Sequence, residues 1–355
     1  MKNKEIIRHF RNKRIIVTGH TGFKGAWLCF ILNLMGARVI GISNGRFNKN
    51  YLYDVLKLKN KIININCDVR NFKNLEKIFK KYKPYYLFHF AAEALVSKAF
   101  DNPKLTWETN TLGTVNILEI LKKINFAMNA VIITSDKVYK NVETSIGYKE
   151  TDQLGDFDPY SSSKASADLA VQSYFKSFLK NKKNLRIGVA RAGNVIGGGD
   201  WAFGRLIPDC IKSWSKNKKV IIRNPNSTRP WQHVFDVLRG YILLSINIKK
   251  NIKLNGEAFN FGPKKDKNQR VISLVKIIHN LWGKGKWSIS KKNKLKEAKL
   301  LSLNSNKSKI NLKWKSKLNT KNSLILTIEW YKSYFYEYKN IEKFSKKIVQ
   351  NFFIK

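Results

Sequence analysis

A chain of 355 residues with 43% hydrophobic content is long enough for one large domain or two closely packed ones, and no apolar run approaches the ~18 residues of a membrane span. Its opening, MKNKEIIRHFRNK, lacks the apolar stretch of a secretory leader, so the expected location is the cytoplasm, with no membrane partner. A net charge of +44 raises nucleic acid as a partner, but the lysines are scattered among Asn and Ile, as in KNKKN and KKNKLKEAKL; they read as solvated surface, and no nucleic-acid partner is expected.

In chain order, RIIVTG at 14–19 is a short β-branched run ending on glycine, and FKGAWLCFILNLMGA continues with the spacing of a buried helix. RVIGIS, IININCDV and YYLFHFAA read as the second, third and fourth strands, with NLEKIFKKY as an amphipathic helix between the last two. A helix through TLGTVNILEILKKI, a strand AVIITS, a helix from Ser161 to about Leu179 and a strand RIGVARA repeat the alternation. Such alternation predicts an α/β fold, a Rossmann-like doubly wound parallel sheet covered by helices on both faces. After Ala192 the texture changes to glycine-rich GNVIGGGDW and segments punctuated by Pro208, Pro225, Pro230 and Pro263. The expected division is a dinucleotide-binding domain over 1–192 and a smaller substrate-binding lobe over 193–355, with some segments of the second returning to the first.

The glycines of TGHTGFKG stand at the first strand-to-helix junction. Residues without side chains let the backbone turn sharply and approach a pyrophosphate, whose charge then faces a helix N-terminus. Gly19, Thr21, Gly22, Phe23 and Gly25 are therefore the candidate cofactor cradle; a glycine turn with no ligand is the alternative. Asp68, beside Val69 at the end of the third strand, could accept from an adenine amine, and Ala91 and Ala92 offer small residues where backbone passes close to a cofactor. An acid about 20 residues beyond the glycines would bind the ribose of NAD. Ser43, Asn44, Gly45 and Arg46 stand there instead, and an arginine suits a 2′-phosphate, which leaves NADP open beside NAD.

Tyr160 and Lys164 are four residues apart, so on a helix they share a face. A lysine ammonium beside the ring is expected to lower the phenol's pKa and make a base for an alcohol proton. Ser135, at the end of the preceding strand, could bond the same hydroxyl. Cys29, Cys67 and Cys210 lie far apart, and His9, His20, His89, His233 and His279 lack metal-ligand spacing, so no metal is expected.

The stretches VTGHTGFKGAWL, FHFAAEALV, ITSDKVY, DPYSSSKASADL, RAGNVIGGGDWAFGRLIPD and IIRNPNSTRPWQHV resemble the extended short-chain dehydrogenase/reductases, specifically the branch of NAD-dependent epimerases and dehydratases that act on CDP-sugars. The resemblance runs from about Arg14 to Pro263 and more weakly to about residue 335. It implies NAD as cofactor, contacted by Tyr160 and Lys164 as well as the glycine turn, a nucleotide-sugar substrate, and a homo-oligomer, dimer or tetramer. It also implies an internal redox cycle: oxidation at C4 of the hexose, loss of water across C5 and C6, and reduction at C6. Asp136 is then the acid for the C6 hydroxyl, which requires a pKa raised by burial. Lys137 is a base if neutral or an enolate-stabilising cation if charged. Asn194, Arg205, Arg229 and His233 match the nucleotide-sugar positions. Two alternatives stay open: a nucleotide-sugar 4-epimerase or reductase on the same scaffold, and a noncatalytic dinucleotide-binding protein that holds a polyanion.

Overall fold

Strands β1 (Arg14–Thr18), β2 (Arg38–Ser43), β3 (Ile63–Asn66), β4 (Tyr86–His89), β5 (Met128–Ile133), β6 (Leu185–Ala192) and β7 (Ala258–Phe261) form one sheet in the order β7-β6-β5-β4-β1-β2-β3. Every neighbouring pair is parallel. The computed structural model describes residues 3–45, 51–144, 146–263, 269–290 and 300–355. The strand order reverses between β1 and β4, the place where an open α/β sheet leaves a crevice at its carboxyl end.

Apart from Arg14, which opens β1, side chains of β1, β4 and β5 are buried whichever way they point, because helices cover both faces. Val17, Phe88, Val131 and Ile133 pack into one core with the helices Phe23–Leu34 and Val234–Lys250. Ile16, Leu87, Ala130 and Ile132 alternate to the other face, against the helices Phe72–Tyr82 and Gly113–Lys123. This is the doubly wound sheet that the sequence alternation predicts. Among the described residues no helix is long and apolar enough to cross a membrane.

The C-terminal half adds helices Leu206–Trp214, Val271–Trp282 and Thr320–Tyr336 and three two-stranded pieces. One piece joins Val195–Ile196 to Gln232–His233, and another pairs Thr228–Arg229 with Gln269–Arg270. Its glycine run is packed tightly. A Cβ on Gly198 would lie 2.1 Å from the Trp330 ring, and the Gly198 carbonyl accepts from Trp27 Nε1 at 2.9 Å.

One buried ion pair ties the carrier of Tyr160 to the sheet. Arg191 on β6 donates from Nε and Nη2 to the two oxygens of Asp168, at 2.8 and 2.7 Å, and from Nη1 to the Tyr139 hydroxyl at 2.8 Å. Tyr139 in turn donates to Asn260 Oδ1 on β7 at 2.7 Å. Both charged side chains are essentially inaccessible. Removing one partner strands the other charge in a dry interior, so Asp168→Ala is expected to lower unfolding free energy by about 3–5 kcal/mol. Urea denaturation measures this, and a loss under about 1 kcal/mol would contradict the buried pairing.

Candidate active site

The glycine turn is shaped by contact with its own backbone. Gly19 has φ +71°, a left-handed conformation that L side chains rarely take, and a Cβ there would lie 2.8 Å from the Ala91 nitrogen. A Cβ on Gly25 would lie 2.2 Å from the Gly19 carbonyl oxygen. Gly22 precedes the helix Phe23–Leu34 with no side-chain cap, leaving first-turn N–H groups for an outside acceptor. Thr21 is partly exposed in this turn, and Phe23 packs towards Gly197. The opposite wall is fixed by Ala91, whose N–H donates to Thr18 Oγ1 at 3.2 Å, with the partly exposed Ala92 following. A backbone cradle at a helix start, narrowed until side chains do not fit, suits the pyrophosphate of a dinucleotide.

At the outer end of this cleft Asp68 has a partner from its own chain. Asp68 Oδ1 accepts from Arg70 N and Nε at 2.9 and 3.1 Å, and Oδ2 accepts from Arg70 Nη2 at 2.9 Å. The carboxylate is thus engaged by the chain itself, with Val69 buried beside it against Gly113. At the end of β2, Ser43 is buried, and the adjoining Arg46 lies outside the described residues.

The helix carrying Tyr160 and Lys164 begins at Pro159, earlier than Ser161. Asp158 caps it by accepting from Ser161 N at 3.0 Å, and proline fits the first helical position, where no N–H is needed. Both side chains point inward and are buried, Tyr160 to 8% and Lys164 to 6% exposure. Ser135 acts on the Tyr160 phenol in favour of phenolate, and the Lys164 ammonium donates to the Ile133 carbonyl at 3.3 Å.

The phenol's pKa runs opposite to the sequence expectation. Burial pushes Tyr160 up and outweighs the Ser135 hydroxyl and the Arg205 charge that favour phenolate. Burial and the neighbouring Lys24 bring Lys164 down to about 7. Both members of the pair therefore shift toward their neutral forms.

Asp136 behaves as the sequence requires of an acid. It is 2% exposed, and burial raises its pKa despite the opposing charges of Lys137, Lys24 and Arg229. Its Oδ1 accepts from the Ser135 hydroxyl at 3.1 Å, and Oδ2 is buried with no hydrogen-bond partner among the described residues. Gly193 is needed opposite it, since a Cβ there would lie 2.6 Å from Oδ2. Lys137 follows in the same short turn, its N–H donating to Ser135 Oγ at 3.3 Å.

Of the expected nucleotide-sugar residues, Arg205 and Arg229 enter this cluster. Arg205 donates to Asp200 Oδ2 at 2.7 Å and acts electrostatically on Tyr160, while Arg229 acts on Asp136. Asn194 is partly exposed in the segment after β6, its carbonyl accepting from Gln232 N at 3.2 Å. His233 is placed differently. It is 2% exposed, its Nδ1 accepts from Phe235 N at 3.2 Å to cap the helix Val234–Lys250, and burial brings its pKa to about 3. The sequence reading missed Lys24, whose signal was a single charge inside the otherwise apolar FKGAWLCFILNL. Among the described residues no group of His, Cys, Asp and Glu has the arrangement of a metal site.

Comparison with known proteins matches residues 16–325 to the family described as GDP-mannose 4,6 dehydratase. CDP-glucose 4,6-dehydratase of Salmonella typhimurium is 38% identical over 330 residues, covering 92% of this chain and 92% of that protein. Among solved structures, an epimerase from Methanothermobacter thermautotrophicus superposes with a TM-score of 0.82 at 22% identity, over 95% of this chain and 97% of that one. The dTDP-glucose 4,6-dehydratase of Bacillus anthracis, solved in complex with NAD, superposes with a TM-score of 0.75 at 24% identity, over 93% and 99%. At these identities the structural likenesses establish the fold.

Proposed function

The chain belongs to the GDP-mannose 4,6-dehydratase family, and from that premise we propose that it is a nucleotide-sugar 4,6-dehydratase, converting CDP-glucose into CDP-4-keto-6-deoxyglucose with loss of water. The observation that carries the reading is Asp136, a buried carboxyl with a raised pKa that shares Ser135 with Tyr160. A 4-epimerase needs Tyr160, Lys164 and Ser135 but has no hydroxyl to expel, and so no use for a neutral acid there.

NAD would be held at Gly19, Thr21, Gly22, Phe23 and Gly25 on one side and at Asp68, Val69, Ala91 and Ala92 on the other, and when bound it would supply the acceptor and later the donor of the hydride exchanged with the hexose at C4 and C6. Tyr160 takes the proton of the 4-hydroxyl, with Ser135 orienting that hydroxyl and Lys164 supplying positive charge beneath the ring. The resulting ketone acidifies the C5 proton. Asp136 then gives its proton to the 6-hydroxyl as the C6–O bond breaks and water leaves, and Lys137, next in the chain, accepts the proton released from C5. Arg205, Arg229 and Asn194 hold the diphosphate of the sugar nucleotide, guanidinium forks matching phosphate oxygens. His233 acts behind them by fixing the start of its helix. In this reading residues 1–192 bind mainly the dinucleotide and 193–355 mainly the nucleotide sugar, in a cytoplasmic homo-oligomer.

Incubation with CDP-glucose, dTDP-glucose and UDP-glucose tests the proposal. CDP-glucose is expected to give the alkali-induced absorbance of a 4-keto-6-deoxy sugar at the highest rate. A CDP-hexose epimer formed without that absorbance would place the chain with the epimerases.

A further inference from the structure

The segment that carries Ser135, Asp136 and Lys137 runs from the end of β5 to Tyr139, and both of its ends are tied to one buried ion pair. Thr134, which precedes Ser135, donates from Oγ1 to Asp168 Oδ2 at 3.2 Å, and Tyr139, which follows the turn, accepts from Arg191 Nη1 at 2.8 Å. Asp168 lies on the helix of Tyr160 and Lys164, and Arg191 on β6. Thr134, Tyr139, Asp168 and Arg191 are all 3% exposed or less. Both charges are well occupied. Asp168 accepts from Arg191 Nε and Nη2 and from Gln172 Nε2 at 3.1 Å, while Arg191 Nη1 donates also to the Glu150 carbonyl at 3.1 Å. The same strand end reaches Asp136 from a second direction, because Gly193, just past Arg191, leaves no room for a Cβ against Oδ2.

A link between helix and strand needs only the carboxylate and the guanidinium. The two hydroxyls add the ends of the turn, and a buried network whose bonds are satisfied holds one arrangement of its members. Because an apolar cluster of the same volume is often as stable as a buried ion pair, stability alone does not call for one here. We propose that Arg191 is a positioning residue for the loss of water: paired with Asp168, it fixes the turn of Asp136 and Lys137 against the helix of Tyr160 and Lys164. The inference rests on the dehydratase reading for the reaction it serves. Oxidation at C4 draws on the helix, whereas expulsion of the 6-hydroxyl draws on the turn, and a misplacement of about 1 Å between them costs about 100-fold in rate.

Tyr139→Phe, Thr134→Val and the double variant test this, each deleting a hydroxyl while keeping the shape of the side chain and the ion pair itself. In the double variant kcat for CDP-glucose is expected to fall about 10–100-fold with KM held, and Thr134→Ser to recover most of what Thr134→Val loses. A larger share of the bound sugar should be trapped by borodeuteride as 4-keto hexose, because oxidation is spared more than dehydration. Amide exchange over residues 134–140 should quicken while that of the helix Pro159–Tyr174 holds. Wild-type kcat in the double variant, a loss that appears in KM or follows melting temperature with no rise in trapped 4-keto hexose, or unaltered exchange over 134–140 would each overturn the proposal. Exchange needs no turnover: quickened exchange in the variants of a protein whose wild type forms no keto sugar would remove the dehydratase reading and leave Arg191 fixing the turn.

Discussion

Tyr160→Phe is expected to lower turnover of CDP-glucose by about 10²–10⁴-fold, the usual worth of a positioned proton acceptor, with little change in melting temperature or in affinity for CDP. The substitution removes one oxygen and leaves the ring in its place on the helix Pro159–Tyr174, so fold and binding have no reason to respond. That oxygen is the atom on which Ser135 and Arg205 act. With Tyr160 raised by burial and Lys164 lowered to about 7, the lysine is the member of the pair that loses its proton first as pH rises. Undiminished turnover in Tyr160→Phe would remove the phenol from the mechanism.

Legibility in the sequence followed the distance over which each constraint acts. The glycine turn was readable because its constraint is local: Gly25 has no room for a side chain against Gly19, one short turn earlier in the chain. The strands β4 and β5 were readable because burial on both faces leaves the apolar runs YLF and AVII. In contrast, the pairing of Ala258–Phe261 with β6 joins segments far apart in the chain, and nothing in FNFGP names its partner. The Arg191–Asp168 clamp was hidden for the same reason.

Within the site, residue types were easier to read than their environments. The spacing of Tyr160 and Lys164 places them on one helix face, but only the packed structure shows that burial outweighs the contributions of Ser135 and Arg205 that favour phenolate. His233 sits in a motif that reads as ligand contact, yet a histidine at a helix start also satisfies an orphan N–H, and that demand is met here by its Nδ1. Asp68 accepts hydrogen bonds just beyond β3 from Arg70, two residues on, a partner that the sequence reading did not name.

Asp136→Asn should separate the two halves of the reaction. Asparagine keeps the shape and the contact with Ser135 but has no acidic proton, so the 4-hydroxyl can still be oxidised at Tyr160 while the 6-hydroxyl cannot leave as water. Formation of the 4-keto-6-deoxy product is expected to fall by about 10²–10⁴-fold, with the 4-keto hexose retained on the protein, where borodeuteride reduction and mass spectrometry detect it as a CDP-hexose labelled at C4. The same substitution carries a stability signature whose sign follows from burial. Asp136 in the folded chain titrates above its ordinary value of 3.8, so between 3.8 and the raised pKa the folded state holds a proton that the unfolded chain has released. Its contribution is full below 3.8 and is lost as pH rises through the folded pKa. The asparagine variant has no ionisable group at this position, so it should lose that part of the decline and gain stability relative to wild type as pH rises. A wild-type yield of 6-deoxy product from Asp136→Asn, or parallel stability curves for the two proteins, would show that this carboxyl is neither the acid nor held neutral by its surroundings.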